Sequence, residues 1–206
     1  MTQEAKIEIA SPRIFNNASV LIIGAYGMVL LLPVFFSLLA ITLLTPGFLT
    51  ILIPLLALAV TAWVVPIGQG NHYIARRMKS VSSSAEPGET TFLVQLTLTP
   101  RIRKGLRALL EDADDFGLLI FQEDRLVFNG DSVQISVPYA NITSVHRQNV
   151  GLRGRFVYGS RVAIEVKGLP NATFLEFAER SSAFVAQSKR ISRELLEQFQ
   201  RASAQN

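Results

Sequence analysis

Cysteine is absent and histidine nearly so: the chain carries only His72 and His146 in 206 residues. Without thiols there is no disulfide, no thiol nucleophile and no cysteine-based metal site. Gly-x-Ser-x-Gly, Walker-type and His-x-x-x-His patterns are also missing, so hydrolase, nucleotide and zinc signatures have no foothold. The acidic run Glu111-Asp112-Ala113-Asp114-Asp115 lacks the spacing, glycine and final glutamate of a calcium loop, and reads as an acidic turn. No catalytic residue, metal ligand or cofactor is assigned, and the chain is expected not to be an enzyme. Asn141-Ile142-Thr143 and Asn171-Ala172-Thr173 match glycosylation sequons as short chance patterns.

A second absence is larger. From Ile14 to Ala75 there is no Asp, Glu, Lys or Arg. Crossing a bilayer takes a helix of about 20 mostly apolar residues, and a signal peptide's apolar region is only about 7–15 long. The stretch therefore reads as a two-helix transmembrane hairpin over 18–68, with spans at about 18–44 and 48–67 joined by Thr45-Pro46-Gly47. Pro33 and Pro54 fall mid-span, and Trp63 sits near the end of the second span, where an interfacial aromatic is expected. Gly24, Ala25 and Gly27 offer a small-residue patch without a Gly-x-x-x-Gly pair. Lys6 and Arg13 precede the stretch, and Arg76, Arg77 and Lys79 follow it. Positive residues at both ends place both termini in the cytoplasm of a multi-pass inner-membrane protein.

Net charge is +4. Lys6 and Arg13 cancel Glu4 and Glu8, so the whole excess follows the charge-free stretch. A mild basic excess beside a bilayer implies attraction to anionic headgroups. No long basic run or nucleic-acid motif appears, so nucleic acid is not an expected partner.

In chain order, residues 1–17 read as a short cytoplasmic lead-in without stable order. Residues 69–91 read as a basic juxtamembrane segment followed by a Ser-, Pro- and Gly-containing linker. A folded domain is expected over 92–201, with a disordered tail at 202–206. Phe92 to Leu98 is a strand candidate. Thr99-Pro100 looks like a helix start, with Ile102, Leu106, Leu109 and Leu110 on one face and Arg101, Arg103, Lys104 and Arg107 off it. Further strands are expected at Phe116–Phe121, Arg125–Phe128, Ser132–Val137, Ile142–Gln148, Val162–Val166 and Thr173–Phe177. Asn129-Gly130 is a hairpin turn signal. A final amphipathic helix, about Ser182 to Gln200, carries Phe184, Ile191, Leu195 and Phe199 on one face, with Arg190/Glu194 and Arg193/Glu197 at i,i+4.

Gly117-Leu118-Leu119-Ile120-Phe121-x-x-Asp124-Arg125-Leu126-Val127-Phe128, followed by Val137-Pro138-Tyr139-x-x-Ile142-x-x-Val145, resembles the core of GRAM and bacterial PH-like domains. Phe174, Phe177 and the closing helix fit the same resemblance, which spans about Phe116 to Phe199. It implies an α+β chain: the hairpin, then a PH-like antiparallel β-barrel or sandwich with a C-terminal amphipathic helix. It also implies a noncatalytic module binding an anionic lipid, such as a phosphoinositide, or a partner protein at the cytoplasmic membrane face. The alternative is a structural subunit of a homo- or hetero-oligomeric membrane assembly.

The ligand candidate is the segment 151–161, with Arg153, Arg155, Arg161, Phe156 and Tyr158 among three glycines. Arginine forks suit phosphate, and aromatics suit headgroup depth. The family's lipid signature is not carried over, because this loop does not follow the first strand. The bland alternative is a solvated loop. Arg101, Arg103, Lys104 and Arg107 form a second basic surface, whose bland alternative is a solvated helix face balanced by the acidic run.

Overall fold

The structure is a computed structural model. It describes residues 4–16, 18–19, 35–36, 39, 41, 43, 52, 71–78, 89–104, 113–148, 160–170, 172–182 and 185–204.

Among the described residues, eight strands form one antiparallel sheet: β1 (Lys6–Ile9), β2 (Thr90–Thr99), β3 (Asp115–Phe121), β4 (Arg125–Gly130), β5 (Val133–Pro138), β6 (Ile142–Gln148), β7 (Arg161–Val166) and β8 (Phe174–Glu179). Their order is β1-β5-β4-β3-β2-β8-β7-β6. The last strand thus sits between β2 and β7, pairing Leu96 with Phe177 on one side and Val162 with Phe177 on the other. The C-terminal helix α1 (Val185–Ala204) packs on β6, β7 and β8.

Period-two alternation explains most of this sheet. Val94, Leu96 and Leu98 of β2, Leu126 and Phe128 of β4, Val133, Ile135 and Val137 of β5, and Val162, Ile164 and Val166 of β7 share one core. Helical spacing delivers Leu195, Phe199 and Ala202 of α1 to the same core. Phe199 stands 5.0 Å from Phe121 and 5.6 Å from Phe177, centroid to centroid. The helix closes the curled sheet through that side chain.

The opposite face is covered as well. Residues 71–78 are helical and bury Asn71, Ile74 and Met78 at i, i+3 and i+7. Ile74 and Met78 form a second apolar cluster with Phe15, Ala113 and Phe116. Phe15 and Phe116 are 4.9 Å apart.

The two-helix transmembrane hairpin does not stand. Among the described residues, no helix is long and apolar enough to cross a membrane. The expectation of two spans at 18–44 and 48–67 is corrected, together with the multi-pass membrane localisation built on it. Most of 18–68 lies outside the described residues. The single positions described there, such as Phe36 and Leu43, are helical and exposed. The physical reason is that the spans were read from hydropathy alone. Hydropathy reports a drive to leave water and not the destination. Phe15 and Ile74, which flank the expected spans, meet that drive against the sheet.

Smaller corrections follow from long-range pairing. The N-terminal lead-in is an edge strand: Lys6 pairs Ser136 and Ile9 pairs Val133. No helix starts at Thr99. That residue ends β2 opposite Phe174, its carbonyl accepts the Thr173 N–H, and Arg101–Lys104 are not helical. The rest of that expected helix, 105–110, lies outside the described residues, as does the linker at 79–88. Asn129-Gly130 is not the turn. Both residues remain in β4, with Gly130 opposite Gly117, and the chain reverses at Asp131-Ser132. The C-terminal helix runs to Ala204, so part of the expected tail is helical, with Ala202 buried. Glu197 pairs Arg201 at 3.7 Å, one turn later than Arg193, whereas Arg190–Glu194 forms as spaced.

Candidate functional site

Two basic surfaces were expected, and the structure treats them differently. Of the loop candidates, Arg153, Arg155, Phe156 and Tyr158 lie outside the described residues. The base of their loop is described. It connects β6 to β7, with Gln148 paired to Arg161 and Arg147 to Val162. The Arg147 Nε donates to the Ser160 hydroxyl across the mouth of the hairpin.

Arg161 is not a loop residue. It opens β7, is 3% exposed, and its Nη1 donates to Glu176 Oε2 at 2.9 Å and to Thr97 Oγ1 at 3.2 Å. Thr97 and Glu176 face each other across β2 and β8, so the guanidinium ties three strands together. A buried guanidinium held by a carboxylate is part of the fold.

The second surface is also partly inward. Arg103 donates its backbone N–H to Asp114 Oδ1 at 2.9 Å, its Nε to the Asp114 carbonyl, and its Nη2 to Ser132. Arg101 Nε lies 3.8 Å from Asp114 Oδ2. Lys104 is exposed, and Arg107 lies outside the described residues. Arg101 and Arg103 therefore serve Asp114, and Arg161 serves Glu176. The structure does not bring the described members of the two groups onto a common partner.

The acidic run has the opposite fate from the one its charge suggests. Asp114 and Asp115 are both fully buried. Asp114 Oδ2 accepts the Leu98 N–H at 2.8 Å. Asp115 Oδ2 accepts the N–H groups of Ser132 and Val133 at 2.7 Å each. Burial is the largest influence on Asp115 and pushes its pKa up to about 6, against those amide bonds and with help from the Asp131 charge.

Asp131 completes a polar knot at the β4–β5 turn. Its carboxylate accepts the successive N–H groups of Arg13, Ile14 and Phe15 at 2.9 to 3.2 Å. Three consecutive amides aimed at one point make an anion cradle, and here the chain supplies its own anion. A cavity of about 330 Å³ beside it is lined by Glu8, Arg13, Asp131, Ser132 and Gln134, among others. Sequence reasoning missed this knot. An aspartate following Asn-Gly looks like turn chemistry, and nothing local announces that its partner is over a hundred positions away.

On the far side, Arg180 Nε donates to Gln95 Oε1 at 2.7 Å, its guanidinium lies over the Phe116 ring, and Asn71 Nδ2 donates to the Ser182 carbonyl at 2.7 Å. Glu179 accepts from the N–H and hydroxyl of both Ser181 and Ser182. Each of these groups serves the packing of residues 71–78 or the turn before α1. Among the described residues no group of His, Cys, Asp and Glu is arranged to hold a metal.

No family model and no curated protein matches this chain. Among solved structures it is similar to a chain of "The 8S snRNP Assembly Intermediate", at 10% identity and a TM-score of 0.39, covering 60% of this chain and 88% of that one. A likeness at that level assigns neither fold nor function. The resemblance to GRAM and PH-like domains rests on the residues themselves.

Proposed function

We propose that the chain is a noncatalytic PH-like binding module whose ligand is an anionic lipid headgroup, taken at the loop between β6 and β7. One observation carries the reading. Among the described candidates, Arg101, Arg103 and Arg161 are committed to carboxylates or hydroxyls of the fold, so the reading rests on Arg153 and Arg155 of the loop. Guanidinium forks bind phosphate oxygens in pairs, and Phe156 and Tyr158 supply amphipathic contact at headgroup depth. The sheet and α1 are the rigid support from which a binding loop works.

The test is co-sedimentation of the full-length chain with vesicles. Phosphatidylcholine alone is compared with the same lipid carrying phosphatidylserine or a phosphoinositide, across a salt series. Binding to anionic vesicles that weakens with salt and is lost in Arg153→Ala/Arg155→Ala supports the reading. Equal binding to neutral vesicles, or binding indifferent to the two arginines, refutes it. Absence of vesicle binding with capture of a protein partner would assign the loop to protein recognition instead.

A further inference from the structure

Strand β1 has one partner, β5, and among the described residues nothing pairs with its other edge. The ladder parity identifies which groups face outward. Ala10 donates its N–H to the Ser132 carbonyl, in register with Glu8 opposite Gln134 and Lys6 opposite Ser136. Hydrogen-bonded and non-bonded pairs alternate along an antiparallel ladder. The even residues therefore bond inward to β5, and the N–H and C=O groups of Ile7 and Ile9 point away from the sheet. Lys6, Glu8 and Ile9 are exposed, Ile9 at 51%.

An edge of this kind accepts another strand. We infer that it accepts a second copy of itself: β1 of one chain pairs antiparallel with β1 of another about a two-fold axis at Ile7, joining two sheets into one. The sequence Glu4-Ala5-Lys6-Ile7-Glu8-Ile9 selects that register. Outward-facing odd residues must pair with odd residues. If Ile7 faces the partner's Ile7, Lys6 faces the partner's Glu8 at both ends, in the closer non-bonded positions. If Ala5 faces the partner's Ile7, Lys6 meets Lys6 and Glu4 meets Glu8. If Ile7 faces the partner's Ile9, Glu8 meets Glu8. Of these three registers only the centred one is free of like-charge pairs, and it places exposed Ile9 beside the partner's Ala5. Such an isologous contact closes on itself and does not propagate. No loop residue takes part, so the inference stands apart from the ligand reading.

The test is sedimentation equilibrium of the full-length chain with three substitutions. Ile7→Pro removes the outward N–H at the axis while leaving the inward bonds of Lys6, Glu8 and Ala10 in place. Lys6→Glu and Glu8→Lys each create like-charge pairs across the axis, while their neighbours on β5, Ser136 and Gln134, are uncharged. The native chain is expected to dimerise with rising concentration and Ile7→Pro to stay monomeric. Each single reversal is expected to weaken dimerisation by about tenfold. Mixing the two reversed proteins, or combining both reversals in one chain, restores it. The exposed reversals keep the test valid even if Ile7→Pro disturbs β1. A native chain that remains monomeric overturns the proposal. So does a dimer indifferent to all three changes, or reversals that mixing fails to rescue.

Discussion

Gly117 and Gly130 face each other across β3 and β4 with no room for a side chain between the backbones. A Cβ on Gly117 would come within 2.6 Å of Gly130 Cα and would also strike the Asn129 carbonyl. Neither obstacle is the end of a flexible side chain, so the strands themselves must separate. Gly117→Ala is expected to cost at least ~1–3 kcal/mol, the range for overpacking, measured as a fall in the denaturation midpoint at unchanged m-value.

Phe199 is the side chain through which α1 closes the sheet, fully buried against Phe121 and Phe177. Phe199→Ala is expected to cost about 3–5 kcal/mol. Amide exchange in β6, β7 and β8, where the helix packs, should accelerate more than exchange in β4.

Asp115 makes stability depend on pH in an unusual direction. Its pKa is raised from 3.8 to about 6 in the folded chain. Between those values the folded state holds the proton more tightly than the unfolded state does. Its stabilising contribution is present below about pH 4 and is lost as pH rises through about 6. Asp115→Asn keeps an oxygen for the Ser132 and Val133 amides and cannot ionise. It should flatten this part of the stability–pH profile and be neutral or stabilising at pH 7. Asp115→Ala leaves two buried amides without their acceptor and should cost at least ~1–3 kcal/mol at any pH. Urea melts of the three proteins from pH 4 to 8 separate these outcomes.

Asp131 holds residues 13–15 to the β4–β5 turn through three amides. Asp131→Ala is expected to remove roughly 1.5–3 kcal/mol, as for a bond to a charged acceptor. The loss should be local first. The amides of Ile14 and Phe15 lose exchange protection, and the Phe15–Phe116 contact loosens with them.

Arg161 and Arg153 should behave as different kinds of arginine. Arg161→Ala strands Glu176, which is 13% exposed, beside an emptied buried site. Breaking such a pair costs ~3–5 kcal/mol. Arg153→Ala is expected to weaken binding to anionic vesicles, the effect the proposed function assigns to it. Calorimetry of both variants beside the vesicle assay checks the division.

Much of the sheet was legible because its cause is local. Val133, Ile135 and Val137 alternate with Gln134 and Ser136, and the odd members are the buried ones. The Val162–Val166 run ends where expected, and Gly168 just beyond it has φ of +78°, a turn conformation that suits glycine. The end of α1 was readable to within a turn. The helix expected at Thr99 failed because capping is a local preference, and the pairing of Thr99 with Phe174 outweighs it. The site was the least legible part. Arg161 looked like a loop arginine because Gly159-Ser160 precedes it, and only the approach of β2 and β8 supplies Thr97 and Glu176 to bury it.

The sequence by itself determined seven of the eight described strands and the place of the closing helix, because alternation and helical spacing are written residue by residue. It also determined that thiol chemistry is absent. Tertiary structure decided what those segments meet. It turned an N-terminal lead-in into an edge strand, and it packed Phe15 and Ile74, which flank the stretch that hydropathy assigned to a bilayer, on Phe116. It drew Asp114, Asp115 and Asp131 inward onto backbone amides. In each case the partner comes from another segment of the chain. Burial energy depends on which surfaces are brought together, and residues 15, 74 and 116 share a neighbourhood only after the chain has folded.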